Sequence, residues 1–180
     1  MYAPKGIGAL YVRSGTAIEP QFLGGGHERG LRSGTENVPY IVALGQACEA
    51  ARKDGEKTNR RIKRLRDALY AGLNEKIVGL KLNGHPDMRL PNTLNLRFPG
   101  ISGNALLAKT PEIAASTGSA CHAEDESASL VIRAMGLSET QALESVRLTL
   151  GRGTTADDID IAVKVPVKRG QVELNQNRKP

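Results

Sequence analysis

Two cysteines occur in the 180-residue chain, and their surroundings assign them different chemistry. Cys121 lies within Ser116–Ser129, STGSACHAEDESAS, a run of small and polar residues that cannot form core. A free cysteine is ordinarily a small buried hydrophobe, yet Gly118, Ser119, Ala120 and His122 offer Cys121 almost nothing to pack against. An exposed thiol of pKa about 8.5 is roughly 7% thiolate at physiological pH, and the thiolate is the nucleophile. A neighbouring imidazole or cation raises that fraction. His122 stands next in sequence, but adjacent loop residues often point apart, and an ordinary surface histidine explains it equally well. Cys48, beside Ala47 in a stretch with helical apolar spacing, reads as a packing residue. The cysteines lack CxxC spacing and a cluster of histidines, so a structural zinc site is not expected. Both thiols are expected to be reduced and the chain cytoplasmic.

Two further segments stand out by composition and alternation. Gly24–Asn37, GGGHERGLRSGTEN, holds five glycines among charged and hydroxyl residues and reads as a loop with unusual backbone angles. Its pattern alone selects no ligand. Arg147 sits in Ser145–Leu150, where Val146, Leu148 and Leu150 alternate with Arg147 and Thr149. By pattern alone it is an exposed strand residue.

The elements that must position these groups follow from periodicity and punctuation. Ile7–Val12 is a short apolar run bounded by Gly6 and by Arg13–Gly15, expected to be a buried strand with its partners outside this chain. From Pro39, Ile41, Val42, Leu44, Ala47 and Ala51 recur at helical spacing. After a break near Asp54 and Gly55, Ile62, Leu65, Leu69 and Leu73 mark a second helix to about Lys76. Strands are expected at Gly79–Leu82 and Thr93–Phe98, the latter alternating Leu94, Leu96 and Phe98 with Asn95 and Arg97. Ser102–Lys109 reads as a short helix, Ile113–Ser116 as a short strand, and Ser129–Met135 as a helix stopped by Gly136. The last helix starts at Thr155, whose hydroxyl caps it beside Asp157 and Asp158. Pro166 and Gly170 are expected to interrupt it. The fold class is α/β, with helices on a small, mostly antiparallel sheet in an α+β layer.

Composition narrows the function classes. Apolar residues make up 39% and charged residues 24%, an ordinary globular balance. No stretch approaches the roughly 18 apolar residues that cross a bilayer, and MYAPKGIG is no signal peptide. The formal charge of +6 raises nucleic-acid binding. Much of the excess, however, is Lys57, Arg60, Arg61, Lys63, Arg64 and Arg66, interleaved with apolar residues at helical spacing. That reads as a solvated helix face without aromatics to stack bases, apart from Tyr70 nearby.

Five blocks together resemble the cysteine desulfurase family of class-V aminotransferases, in the family's order: YAPKGIGALYVR (Tyr2–Arg13), GGGHERGLRSGTEN, RLPNTLNLRFPG (Arg89–Gly100), STGSACHA (Ser116–Ala123) and SVRLTLGRGTT (Ser145–Thr155). The chain is similar to the selenocysteine lyases as well. The resemblance runs from residue 2 to about 164. It implies the carboxy-terminal part of the aspartate-aminotransferase-like fold, a pyridoxal phosphate cofactor and a homodimer with sites at the subunit interface. It also implies that sulfur leaves L-cysteine for a sulfur-acceptor or iron–sulfur scaffold protein. Cys121 matches the family's catalytic cysteine, which attacks the substrate sulfur and keeps it as a persulfide while alanine departs. Thr35 matches the threonine that contacts the cofactor phosphate of the neighbouring subunit, and Arg147 the arginine that grips the substrate carboxylate.

On this resemblance residues 1–40 belong to the large cofactor domain and 41–77 to connecting helices. Residues 78–165 form the small carboxy-terminal domain, and 166–180 are a divergent tail. Ala128 stands where the family usually has proline. The cofactor lysine is expected immediately before the position of Met1, so the chain is expected to lack it and to be inactive alone. Lys5 belongs to the following turn. Two alternatives stay open: a selenocysteine lyase, and a noncatalytic sulfur-carrying or partner-docking fragment.

Overall fold

A computed structural model describes residues 1–118 and 128–176, with 167–176 in backbone outline. The chain divides into two compact units, Met1–Glu56 and Lys57–Pro180.

The first unit is loop followed by helix. Residues 7–12 form no strand, and Leu10 and Tyr11 are 80% and 86% exposed. A strand exists only where its backbone N–H and C=O groups find a neighbour. The described strands pair only with one another, which leaves the apolar run without a ladder. Helix α1, Val38–Lys76, begins here and continues unbroken into the second unit, in place of the two helices expected. One interior glycine costs only about 1 kcal/mol. Gly55 is therefore tolerated among strong helix formers such as Ala51, Arg52, Lys53 and Glu56. Cys48 lies exposed on α1, with Sγ 3.9 Å from the sulfur of Met1, so its expected packing role is not met among the described residues.

The second unit holds the core. A three-stranded antiparallel sheet in the order β1 (Lys81–Leu82), β2 (Thr93–Arg97), β3 (Ser145–Thr149) turns one face inward. Leu94, Leu96 and Val146 from that face join Ile62, Leu69 and Leu73 of α1, Leu106 of α2 (Gly103–Ala108), and Ile159 and Val163 of α5 (Ala156–Gln176). The alternation in β2 and β3 places this face as the sequence indicates. Gly72 lets α1 approach α5, since a Cβ there would lie 2.8 Å from Val163 Cγ2.

Around the sheet's end, Ser129 stands before α3 (Leu130–Ala134), and Gly136 follows it at φ +91°. Helix α4, Glu139–Leu143, was not anticipated, although Ser138 and Gln141 form a full capping box that its sequence carries. Ile113–Ser116 forms no strand beyond a single bridge at Ser116. Helix α5 is capped by Thr155 as expected, but runs to Gln176 through Pro166. Proline removes one N–H and crowds one carbonyl, a local loss that the helix survives.

Candidate active site

Arg147 is held by backbone on both sides of β3. Asn95 is its register partner on β2, while its own N–H donates to Ser116 O at 2.7 Å and its C=O accepts from Ser116 N–H at 3.2 Å. Its side chain is exposed on the polar face of the sheet, and no described residue holds its guanidinium in an ion pair. The Ser116 bridge is the base of the segment that carries Cys121. Cys121 and His122 themselves lie outside the described residues.

That base is fixed from three directions. Ser116 Oγ donates to Gly118 O at 2.7 Å and accepts from Gly118 N at 3.2 Å. Thr117 donates to Asn104 Oδ1 of α2 at 2.8 Å. Gly103 closes the third side: a Cβ there would stand 2.8 Å from Thr117 Cγ2 and 2.9 Å from the carbonyl oxygen of Ser145. Only glycine allows α2 to sit this close to the start of β3.

The polar face carries an ordered amide row. Lys81 pairs with Arg97 and Leu82 with Leu96, so Asn83 follows opposite Asn95, and its N–H donates to Asn95 O at 2.9 Å. Asn83, Asn95 and Arg147 thus form one row across the sheet. Asn83 Nδ2 donates to Asn95 Oδ1 at 2.7 Å and to Ser145 Oγ at 2.9 Å, and the Ser145 hydroxyl donates to Gln141 O of α4 at 2.8 Å. No sequence motif marks this row. Its one signal was the polar alternation of Asn95 within β2, facing that of Arg147 in β3.

Two arginines assigned to a solvated face are structural. Arg61 of α1 donates to Thr154 O at 2.7 Å and to Arg152 O at 2.5 Å, clamping the turn after β3. Arg66 is 2% exposed and bonds Asp67 Oδ1 through Nε at 2.9 Å and Nη2 at 2.6 Å, with Nη1 donating to Leu90 O at 2.7 Å. Arg89 lies beside them, 5.9 Å from the Tyr70 ring centre. Burial, and next the charge of Arg66, hold its pKa below the ordinary arginine value. Periodicity marks a helix's outer face but not which of its long side chains fold back onto neighbours.

Thr35 belongs to the first unit. Its loop is tied to itself by Ser33 Oγ donating to Phe22 O at 2.8 Å and Gly34 N donating to His27 Nδ1 at 3.3 Å. Gly34 takes φ +105°, and Thr35 beside it is exposed. A hydroxyl free of described partners, next to a backbone without a Cβ, fits an oxygen of a phosphate group. Lys5 is exposed in the tight turn before Gly6, which takes φ +90°.

Among the described residues no group of three or more His, Cys, Asp or Glu side chains could hold a metal ion, and no helix is long and apolar enough to cross a membrane.

The model of the aminotransferase class-V family matches residues 1–161. The chain belongs to that family. As a class-V aminotransferase it is 45% identical over its whole length to a mitochondrial cysteine desulfurase of Arabidopsis thaliana, covering 40% of that protein. It is 44% identical over 94% of its length to the cysteine desulfurase IscS of an Anaeromyxobacter species, covering 42% of it. Among solved structures, a NifS-like protein superposes with a TM-score of 0.78 at 32% identity, over 90% of this chain and 41% of that one. A structure of SspA in complex with cysteine gives a TM-score of 0.60 at 32% identity, over 86% of this chain and 42% of that one. The chain therefore spans about two fifths of the length of these relatives, and its fold is a part of theirs, as its sequence blocks imply.

Proposed function

We propose that this chain is the part of a cysteine desulfurase that presents the substrate-binding arginine and the sulfur-accepting cysteine. The carrying observation is the double hydrogen bond between Ser116 and Arg147, at 2.7 and 3.2 Å, which joins the Cys121-bearing segment directly to the carboxylate arginine. Identity to cysteine desulfurases supports the reading.

Arg147 binds the L-cysteine carboxylate with two parallel N–H donors and so orients the substrate sulfur. The Cys121 thiolate attacks that sulfur. The new S–S bond forms as the substrate C–S bond breaks, leaving a persulfide on Cys121, and protonation of the former β-carbon gives alanine. Thr35 binds the phosphate of pyridoxal phosphate, and across a homodimer that phosphate belongs to the neighbouring subunit's site. When bound, the cofactor supplies the electron sink that labilises bonds around the substrate's α-carbon. Lys5 lies in the turn that follows the cofactor-lysine position of the family pattern and does not hold the cofactor, so the 180-residue chain by itself does not turn over L-cysteine. The persulfide passes to a sulfur-acceptor or iron–sulfur scaffold protein in a reducing, cytoplasmic-type compartment, where free thiols persist.

The test is alanine release and persulfide labelling from L-cysteine, with the chain completed to its relatives' length. Cys121→Ser abolishes persulfide formation, because a serine hydroxyl cannot hold sulfane sulfur, while Cys48→Ser leaves most activity. A Cys121→Ser enzyme that still makes alanine and persulfide at near the parent rate overturns the assignment. Retained activity with L-selenocysteine alone moves the reading to a selenocysteine lyase. For the 180-residue chain by itself, pyridoxal phosphate and borohydride label no single lysine stoichiometrically. One uniquely labelled lysine, with turnover, contradicts this reading of the lysines.

A further inference from the structure

The row formed by Asn83, Asn95 and Arg147 ends in two donors side by side. We propose that the side-chain amide NH2 of Asn95 is a second donor to the carboxylate bound by Arg147, and that Asn83 fixes the direction in which it points. This rests on the reading of Arg147 as the carboxylate-binding residue.

The orientation follows from a chain of obligate roles. The carbonyl of Gln141, in the last turn of α4, can only accept, so the Ser145 hydroxyl donates to it, at 2.8 Å. The Ser145 oxygen, wholly buried, is then the acceptor for Asn83 Nδ2 at 2.9 Å. The second hydrogen of the same Nδ2 goes to Asn95 Oδ1 at 2.7 Å. Turning the Asn95 amide over would set NH2 against NH2. Turning Asn83 over as well would require the serine hydroxyl to donate to it, and would strip the Gln141 carbonyl of that partner. Beside the wholly buried Ser145, an acceptor that loses its partner is costly, so the whole relay has one sense.

With its oxygen committed to Asn83 on the β1 side, Asn95 turns its NH2 away from β1. Its register partner on β3 is Arg147. Side chains directly opposite on one face of an antiparallel pair have Cβ atoms about 5 Å apart, close enough for both to reach the same carboxylate. Among the described residues nothing accepts from Asn95 Nδ2 or pairs with the Arg147 guanidinium. A carboxylate offers about four lone-pair sites and a guanidinium fork uses two, which leaves room for the amide.

The experiment uses the isotopically labelled 180-residue chain and follows the Arg147 Nε and Asn95 side-chain NH2 resonances during titration with L-alanine. Ethylamine, which lacks the carboxylate, is the control. Both resonances move saturably with alanine and neither moves with ethylamine. Arg147→Ala removes the response. Asn95→Ala weakens alanine binding about tenfold, Asn95→Ser, which keeps a donor, recovers part of the loss, and Asn83→Ala weakens binding while leaving both direct contacts in the sequence. If Arg147→Ala abolishes binding and Asn95→Ala binds like the parent, the second donor is wrong and the role of Arg147 stands. If the parent shows no response, or Arg147→Ala responds as the parent does, the role of Arg147 falls and this inference falls with it. Should Asn95→Ala fail to fold, the parent spectrum decides: an Asn95 NH2 signal that stays fixed while Arg147 Nε shifts overturns the proposal.

Discussion

Arg147 and Arg66 illustrate how one residue type serves opposite ends. The exposed guanidinium of Arg147 keeps its donors open, whereas Arg66 spends its own on Asp67 and on the Leu90 carbonyl. On the proposed function, with the chain extended to its relatives' length, Arg147→Ala lowers kcat/KM about 100-fold, the loss of a paired charge-assisted contact. Arg147→Lys recovers only part of it, because a point charge does not reproduce the planar fork. Steady-state kinetics with L-cysteine check both, and an unchanged kcat/KM for the alanine variant excludes the assigned role. Arg66→Ala acts on stability. Asp67 is half exposed and so partly solvated after the change, which holds the expected cost to about 2 kcal/mol, read from urea unfolding followed by circular dichroism.

The elements that frame the site obey local rules, and those rules made them legible. The alternation of Leu94 and Leu96 with Asn95 gives the inward face of β2, and Thr155 gives the start of α5. Thr155→Ala costs about 1 kcal/mol in the same unfolding assay. Its reciprocal partner is Asp158, which accepts from the Thr155 backbone N–H at 2.9 Å and from its hydroxyl at 2.9 Å. These bonds hold the Asp158 carboxyl below its ordinary pKa. A carboxyl depressed on folding stabilises the folded state above its unfolded pKa, about 3.9, and that contribution fades as pH falls toward its lower folded value. Asp158→Asn therefore lowers Tm at pH 7, and its difference from the parent narrows below about pH 4. A constant difference across pH would contradict the carboxylate's role. Other elements resisted reading for physical reasons. Gly55 resembles a break, but a single glycine does not end a helix with good formers on either side. Pro166 resembles a stop, yet one lost hydrogen bond does not end α5. The Ile7–Val12 run has the composition of a strand, and composition cannot supply a neighbour. Of the candidate site, the exposed strand position of Arg147 is readable from alternation, while the Ser116–Arg147 bridge and the Asn83–Asn95–Ser145 relay depend on long-range register that no local pattern encodes. Gly103→Ala tests that long-range packing. Its Cβ meets a backbone oxygen that cannot move aside, so the expected loss is about 1–3 kcal/mol.

For the molecule as a whole, stability is divided unevenly. No residue of Met1–Glu56 is buried, and Leu10, Tyr11, Phe22, Leu23 and Val42 are exposed there, while the described core residues all belong to Lys57–Pro180. Regions with few buried apolar contacts open at little cost. Limited trypsin treatment cuts first at Lys5, Arg13, Arg29 and Arg32, and the amides of Leu94, Leu96 and Val146 are the last to exchange with deuterium. The exposed side chains bind a hydrophobic dye and promote association. One cooperative protection level across the chain, without dye binding, would show that the first unit finds a core of its own.

The relay that begins at Asn83 also carries a chemical clock. The next residue is Gly84, which takes φ +89° and has no side chain to shield its nitrogen. An asparagine followed by glycine is the pairing at which backbone nitrogen most readily attacks the side-chain carbonyl, expels ammonia and leaves an aspartyl or isoaspartyl product. A carboxylate has no N–H to give. Hydrolysis of one amide would therefore silence both hydrogen bonds from Nδ2, to Asn95 and to Ser145. Ageing of the purified chain, followed by peptide mass spectrometry, thus has an expected first lesion, and its damage would fall on the row that ends at Arg147.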